Sequence, residues 1–174
     1  TQWVYMSVSI PNQIFPTRQL VLASNNQGKL TEFKQLFEQA NLEITVTPQG
    51  QLGIEDAVED GLSFIENALI KARHASRISG LPAIADDSGL CVPILGGAPG
   101  IYSARYAGED CDSERNIDKL LGELAGKTDR TARFRTMIAL IEGSESIEFE
   151  GKIEGTIATE RHGEGGFGYD KVFL

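Results

Sequence analysis

A chain of 174 residues, 41% hydrophobic and 24% charged, has the length and composition of one globular domain with a proper core. Its formal net charge of -9 argues against a broad nucleic-acid or membrane-binding surface, which needs clustered Lys and Arg, but leaves room for a small phosphorylated ligand. Two cysteines (Cys91, Cys111) and two distant histidines (His74, His162) offer no zinc-binding spacing, and no apolar run approaches the ~20 residues of a transmembrane helix.

Residues 1–19 read as an N-terminal extension. Trp3, Tyr5 and Met6 are followed by Pro11, Asn12 and Pro16, without the basic leader and unbroken apolar stretch of a secretory signal; Met6 is a candidate natural start. Residues 20–174 read as a single domain. Leu20–Ala23 is a short apolar run that predicts a buried strand ending at Ser24. A polar loop follows, then a helix from about Lys29 to Ala40 with Leu30, Phe33, Leu36 and Phe37 on one face and Asn41 as its stop. Residues 43–47 alternate around Ile44 and Val46 and predict a second strand, so the chain starts as an α/β unit.

Ser63-Phe64-Ile65-Glu66 fits a capping box and opens a second helix, with Ile65, Ala68, Leu69, Ala72 and Ala75 as its core stripe and Ser79-Gly80 as its end. Ala83–Ala85 predicts a strand leading into Asp86-Asp87, closed by a Ser88-Gly89 turn. Gly96–Gly100 is a loop, and a third helix runs from about Ser113 to Leu124 with Ile117, Leu120, Leu121 and Leu124 at helical spacing. Beyond residue 130 the period changes to two, and Gly143-Ser144-Glu145 between the alternating stretches predicts a hairpin. The fold class is therefore α/β, a mixed sheet with helices packed on it, and the ligand cleft is expected where the motif-bearing loops converge.

Three segments carry candidate chemistry. The adjacent carboxylates Asp86 and Asp87 point to opposite faces of an emerging strand, so one is expected to brace the turn and the other to look into a cleft. Neighbouring like charges call for a cation, a metal ion or a retained proton. Ser24-Asn25-Asn26-Gln27-Gly28-Lys29 is a loop of the phosphate-binding type, in which helix-start amides, the Lys29 charge and side-chain donors face an anion. It is not a Walker loop, since Ala23 and Leu30 stand where Gly and Ser or Thr are needed. Gly165-Gly166-Phe167-Gly168-Tyr169-Asp170 holds two aromatics in a permissive backbone, a platform on which a purine can stack. Of the acids Glu55, Asp56, Glu59 and Asp60, Glu59 is placed to bring a metal ligand toward Asp87; Glu66 has its capping role, and Lys71 can face solvent or phosphate.

These segments resemble the inosine triphosphate pyrophosphatase family. The matching stretches are 22–29, 64–68, 85–90, 96–106 and 165–170, five motifs in family order. The resemblance implies an elongated α/β fold with a long mixed sheet and flanking helices, usually a homodimer. It also implies Mg²⁺-dependent hydrolysis of dITP, ITP and XTP to the monophosphate and pyrophosphate, with a purine nucleoside triphosphate as partner and neither nucleic acid nor membrane. A cytoplasmic location goes with this activity. Carried over by position, Asp87 is the catalytic acid-base residue and Glu59 a metal ligand with it. Ser24, Asn25, Asn26, Gln27, Gly28 and Lys29 hold the triphosphate with Ser88, and Phe167, Gly168, Tyr169 and Asp170 frame the base. The chain departs from the family in having Lys171 where Pro is usual, and in stopping at Leu174 before a Ser-His-Arg segment near the base, as a C-terminal truncation would. The competing readings are a binding module that holds the nucleotide without turnover, a general nucleotide phosphatase, and a pyrophosphatase of modified pyrimidines.

Overall fold

The structure, a computed structural model, describes residues 19–163 and 168–174. Its regular elements are β1 (Gln19–Leu22), α1 (Gln27–Gln39), β2 (Thr45–Pro48), α2 (Phe64–Ser79), β3 (Ala83–Cys91), α3 (Ser113–Glu123), β4 (Thr131–Glu142) and β5 (Glu145–Thr156). The five strands form one sheet in the order β2-β1-β3-β4-β5, with β1 parallel to both β2 and β3. The α/β class expected from the pattern holds. The chain divides into two compact units, one of residues 88–136 with the described part of 151–174, the other of the described residues to 87 with 137–150.

In the unit holding residues up to 87, the sheet has a helix on each face, and the strand period of two decides which side chain meets which helix. Leu20 and Leu22 of β1, Ile84 of β3 and Ile138 and Leu140 of β4 cluster with Leu30, Phe33 and Phe37 of α1. Their alternates Val21, Ala23, Ala83, Ala85, Ala139 and Ile141 cluster with Ala68, Ala72 and Ala75 of α2. The three α2 alanines are fully buried, so this helix lies on the sheet through side chains of a single carbon.

The expected caps are in place with one change of detail. Ser63 Oγ accepts from the Glu66 amide at 3.2 Å, while the Glu66 carboxylate accepts from Leu62 N, one residue before the cap itself. Gly80 ends α2 in the left-handed region, and Asn41 follows α1 in the same conformation. The hairpin turns on Gly143-Ser144, with Gly143 at φ 59°.

One expectation fails. The chain does not turn at Ser88-Gly89; β3 runs on through both aspartates to Cys91. Asp, Ser and Gly are poor strand formers, but β3 is an interior strand and context overrides propensity.

The other unit has its own core. Leu90 and Val92 pack with Ile117, Leu120 and Leu124 of the α3 region, Phe134 of β4, and Ile157, Tyr169 and Val172. Arg130 ties the end of α3 to the segment after β5 by donating to the carbonyls of Leu124, Ile157 and Ala158 at 2.8, 2.8 and 2.7 Å.

Overpacking the α2 contact is expected to destabilise the fold. Ala72→Leu should lower stability by about 1–3 kcal/mol, measured from the urea midpoint, because the added methylenes must displace sheet side chains. Ile78→Ser, at an exposed position of the same helix, should change it by less than about 0.5 kcal/mol.

Candidate active site

β1 ends at Leu22, paired with Ile84, and β3 continues beyond that register to Asp86 and Asp87. The two carboxylates therefore stand past the carboxyl end of a parallel strand pair, where open α/β sheets place their ligands. Alternation sends Asp86 to the face that Ile84 shares with α1, and Asp87 to the face that Ala83 and Ala85 share with α2. Each face supplies a lysine. Lys29 Nζ of α1 donates to Asp86 Oδ1 at 2.9 Å, and Lys71 Nζ of α2 lies 4.0 Å from Asp87 Oδ1.

Asp86 is buried, and its carboxylate is committed to Lys29. Burial alone would lower the Lys29 pKa, but the Asp86 charge and hydrogen bond, with Asp87 and Glu59, outweigh it and hold the ammonium above its ordinary value. Lys29 is still about one-third exposed, at 32%. It braces the strand as well as presenting charge to the loop that precedes it.

Asp87 has a different environment. Burial pushes its carboxyl up to about 6, and the charges of Glu59 and Asp86 add to that push, while Lys71 and the Asn67 side chain oppose it. Its Oδ2 is buried and has no hydrogen-bond partner among the described residues. Lys71 meets Glu59 Oε1 at 3.2 Å and donates to the Asp86 carbonyl. Glu59 and Asp87, 28 residues apart in sequence, thus converge on one cation.

Of the neighbouring acids, Asp56 is held by Gln49 Nε2 at 2.6 Å, and Glu55 offers its carbonyl to the His74 ring at 2.9 Å. Asn67 Oδ1 accepts from the Gly61 amide at 2.8 Å, which fixes the end of the Glu59 loop against α2. A Cβ on Gly61 would sit 2.7 Å from that same oxygen, so the position admits only glycine without a shift.

The loop before α1 is built largely by its own side chains. Ser24 Oγ accepts from Asn26 N at 3.0 Å, Asn26 Oδ1 caps the helix through Lys29 N at 3.1 Å, and Asn25 Oδ1 accepts from Gly50 N at 2.9 Å. Asn25, Asn26, Gln27 and Gly28 are exposed. The amides of Gln27 and Gly28 belong to the first turn, where no intrahelical acceptor exists and an anion is favoured. Gly28 also protects the cap, since a Cβ there would lie 3.1 Å from Asn26 Oδ1.

Ser88 follows Asp87 on β3 and is half-buried. Phe167 lies outside the described residues. Gly168 takes φ 60°, a conformation that favours glycine, and Asp170 is half-buried. Tyr169 is only 5% exposed and belongs to the core; its hydroxyl donates to the Ser103 carbonyl at 2.6 Å. Burial raises its pKa well above the ordinary phenol range, with the nearby Tyr106 adding to it. Its ring packs in the core with Leu90, Val92 and Val172 instead of offering an open face.

The donor set suits a hard divalent cation. Glu59 and Asp87 carry oxygen atoms of the kind such a cation takes, and the buried, unpartnered Asp87 Oδ2 would gain from a nearby positive charge. No group of three His, Cys, Asp or Glu side chains among the described residues encloses a metal on its own.

Sequence reasoning left Lys71 open between solvent and phosphate and gave Asn67 no role beyond its helix. The structure places both against Asp87. The signal was their i, i+4 spacing, which puts two polar side chains on one line of α2 beside the buried alanines.

Known proteins match most of this chain. A dITP/XTP pyrophosphatase of Acinetobacter baylyi is 57% identical over 163 residues, covering 88% of this chain and 77% of that protein. One from Xanthomonas oryzae pv. oryzae is 52% identical over 162 residues, covering 90% and 80%. Among solved structures, a HAM1 protein from Coxiella burnetii superposes with a TM-score of 0.84 at 45% identity, covering 89% of this chain and 80% of that one. The Staphylococcus aureus Ham1 protein gives 0.81 at 44% identity over the same shares. The Ham1 family profile matches residues 20–174, and with these relatives it establishes that the chain belongs to the Ham1 family.

Proposed function

We propose that this protein hydrolyses the non-standard purine nucleoside triphosphates dITP, ITP and XTP to the monophosphate and pyrophosphate, clearing them from the nucleotide pool. The observation that carries the reading is the convergence of Glu59 and Asp87 on one cation, with Asp87 Oδ2 buried and unpartnered. The names borne by relatives at 52–57% identity point to the same substrates.

Ser24–Gly28 would receive the triphosphate at the start of α1, with Lys29 as a nearby positive charge and Ser88 as a further hydroxyl. Mg²⁺ held by Glu59 and Asp87 would neutralise phosphate charge and polarise the phosphoryl group. Asp87 accepts a proton from the attacking water while one α–β phosphoanhydride bond breaks and pyrophosphate leaves. Without a bound cation, burial pushes its carboxyl up to about 6, and a bound Mg²⁺ would favour the charged form that accepts the proton. No covalent intermediate is required. Gly168 and Asp170, with Phe167, are assigned to the base, and Tyr169 to holding that loop. A homodimer in the cytoplasm completes the proposal and rests on the family resemblance. No helix among the described residues is long and apolar enough to cross a membrane.

Pyrophosphate release from dITP should vanish in EDTA and return with excess Mg²⁺; full turnover in metal-free buffer would exclude the carboxylate pair as a metal site. Orthophosphate release would favour a general phosphatase, and binding without release a regulatory module.

Asp87→Asn should retain the fold by circular dichroism and lower kcat by on the order of 10²–10⁴. Asp86→Asn should remain active, with its main effect on stability through the Lys29 pair. The reverse outcome would exchange the roles of the two aspartates.

Substrate choice should follow the 6-keto edge. A site that donates to this edge leaves adenine's 6-amino group facing a donor, so kcat/KM for dITP and XTP should exceed that for dATP by roughly 10²-fold or more. Ribose and deoxyribose should differ little. Equal kcat/KM for dITP and dATP would remove base reading from the site.

A further inference from the structure

The loop that carries Glu59 is fastened on each side by a buried side-chain amide. Gln49, 3% exposed, donates through Nε2 to Asp56 Oδ1 at 2.6 Å, on the amino side of Glu59. Asn67, 4% exposed, accepts through Oδ1 from the Gly61 amide at 2.8 Å, on the carboxyl side. The second tie is close-fitting. A Cβ on Gly61 would lie 2.7 Å from Asn67 Oδ1 and 3.1 Å from Asn67 N. Gly61 is not among the glycines of positive φ, so space excludes a side chain there and backbone conformation does not.

The start of α2 is complete without Asn67. Ser63 Oγ accepts from the Glu66 amide, and the Glu66 carboxylate takes the Leu62 amide at 2.6 Å. The amide side chain one residue beyond this cap has other partners. It offers one acceptor oxygen and one NH₂ donor. With the oxygen on the Gly61 N–H, the donor end is left for the Asp87 carboxylate, whose charged form its hydrogen bond favours. One side chain thus meets both the loop of Glu59 and the carboxyl group of Asp87.

Given the metal-assisted hydrolysis proposed above, we propose that Asn67 is a positioning residue for the divalent cation, holding the Glu59 loop and the Asp87 carboxylate together so that both reach one ion. It touches neither substrate nor reacting atoms. Lys71, one turn further along α2, pairs with the same two acids but brings a positive charge that opposes a cation. A neutral amide orients the acids without that opposition. Loss of a group that orients metal ligands from behind costs roughly 10–100-fold in metal affinity or activity.

The experiment titrates Mn²⁺ into the nucleotide-free protein and follows the free ion by electron paramagnetic resonance. Asn67→Ala should raise the Mn²⁺ Kd by about 10-fold or more. Gly61→Ala, which pushes the loop off an intact Asn67, should shift it in the same direction. The double variant should be no weaker than the worse single one, because both changes break one contact. In dITP hydrolysis the apparent Mg²⁺ constant should rise in parallel, with KM for dITP at saturating Mg²⁺ little changed. If Asn67→Ala loses the wild-type circular dichroism spectrum, Gly61→Ala carries the comparison.

Wild-type Mn²⁺ affinity in the folded variants, with only the urea midpoint lowered, would overturn the proposal by showing that the tie serves the fold alone. Fully additive losses in the double variant would also overturn it, by separating the two residues. A wild-type protein that binds no Mn²⁺ would overturn it together with the carboxylate pair as a metal site. One that binds Mn²⁺ yet releases no pyrophosphate from dITP would overturn the functional reading, and the Mn²⁺ series would still decide the role of Asn67.

Discussion

The site depends on one constraint: consecutive residues of an extended strand face opposite ways. Asp86 and Asp87 are neighbours in the chain, yet the sheet lies between their carboxyl groups, and each meets the helix that covers its own face. This separation lets two adjacent acids have different roles. Asp86 meets a lysine at hydrogen-bond distance and is neutralised as a structural pair, while Asp87 faces a more distant ammonium and a second carboxylate. Had β3 turned after Asp86, both would share solvent and neither would be tuned.

Burial then differentiates the two further. Asp86 has a close cation, and its carbonyl accepts from Lys71 as well. Asp87 keeps one oxygen buried without a partner, an arrangement that disfavours its charged form. A buried polar atom without a partner calls for an explanation, and a catalytic role is one. Close packing by Ala68, Ala72 and Ala75 is what brings α2, and with it Asn67 and Lys71, within reach of the strand. A bulkier stripe would hold the helix farther from Asp87.

Much of this was legible in the sequence where information is local. The α2 start followed from Ser63 and Glu66, the α1 face from Leu30, Phe33 and Phe37, and the hairpin from Gly143-Ser144. The even division of Asp86 and Asp87 between two faces followed from the strand period alone. What escaped depended on distant partners. The extended run through Asp86–Gly89 is stabilised by neighbouring strands, which local propensity cannot see. Tyr169 beside glycine reads as an open platform, whereas its hydroxyl meets a carbonyl 66 residues upstream and its ring fills a core. Lys71 is ambiguous on a helical wheel because its acids come from two other segments.

The ion pairs of the chain therefore sort by what they hold. Arg115 with Asp110 is surface pairing with both partners well exposed, the kind that contributes little. Lys29 with Asp86 and Lys71 with Glu59 and Asp87 join helices to the carboxyl end of a strand, at positions where partial burial weakens screening. Lys71 is a compact charge on a flexible stem, and can follow two acids that would otherwise repel each other across the same space. Arginine there would bring a planar fork suited to one bidentate carboxylate rather than to two from separate segments. Lys71 is thus shared between two carboxylates, at 3.2 Å from Glu59 and 4.0 Å from Asp87, whereas Lys29 is committed to one.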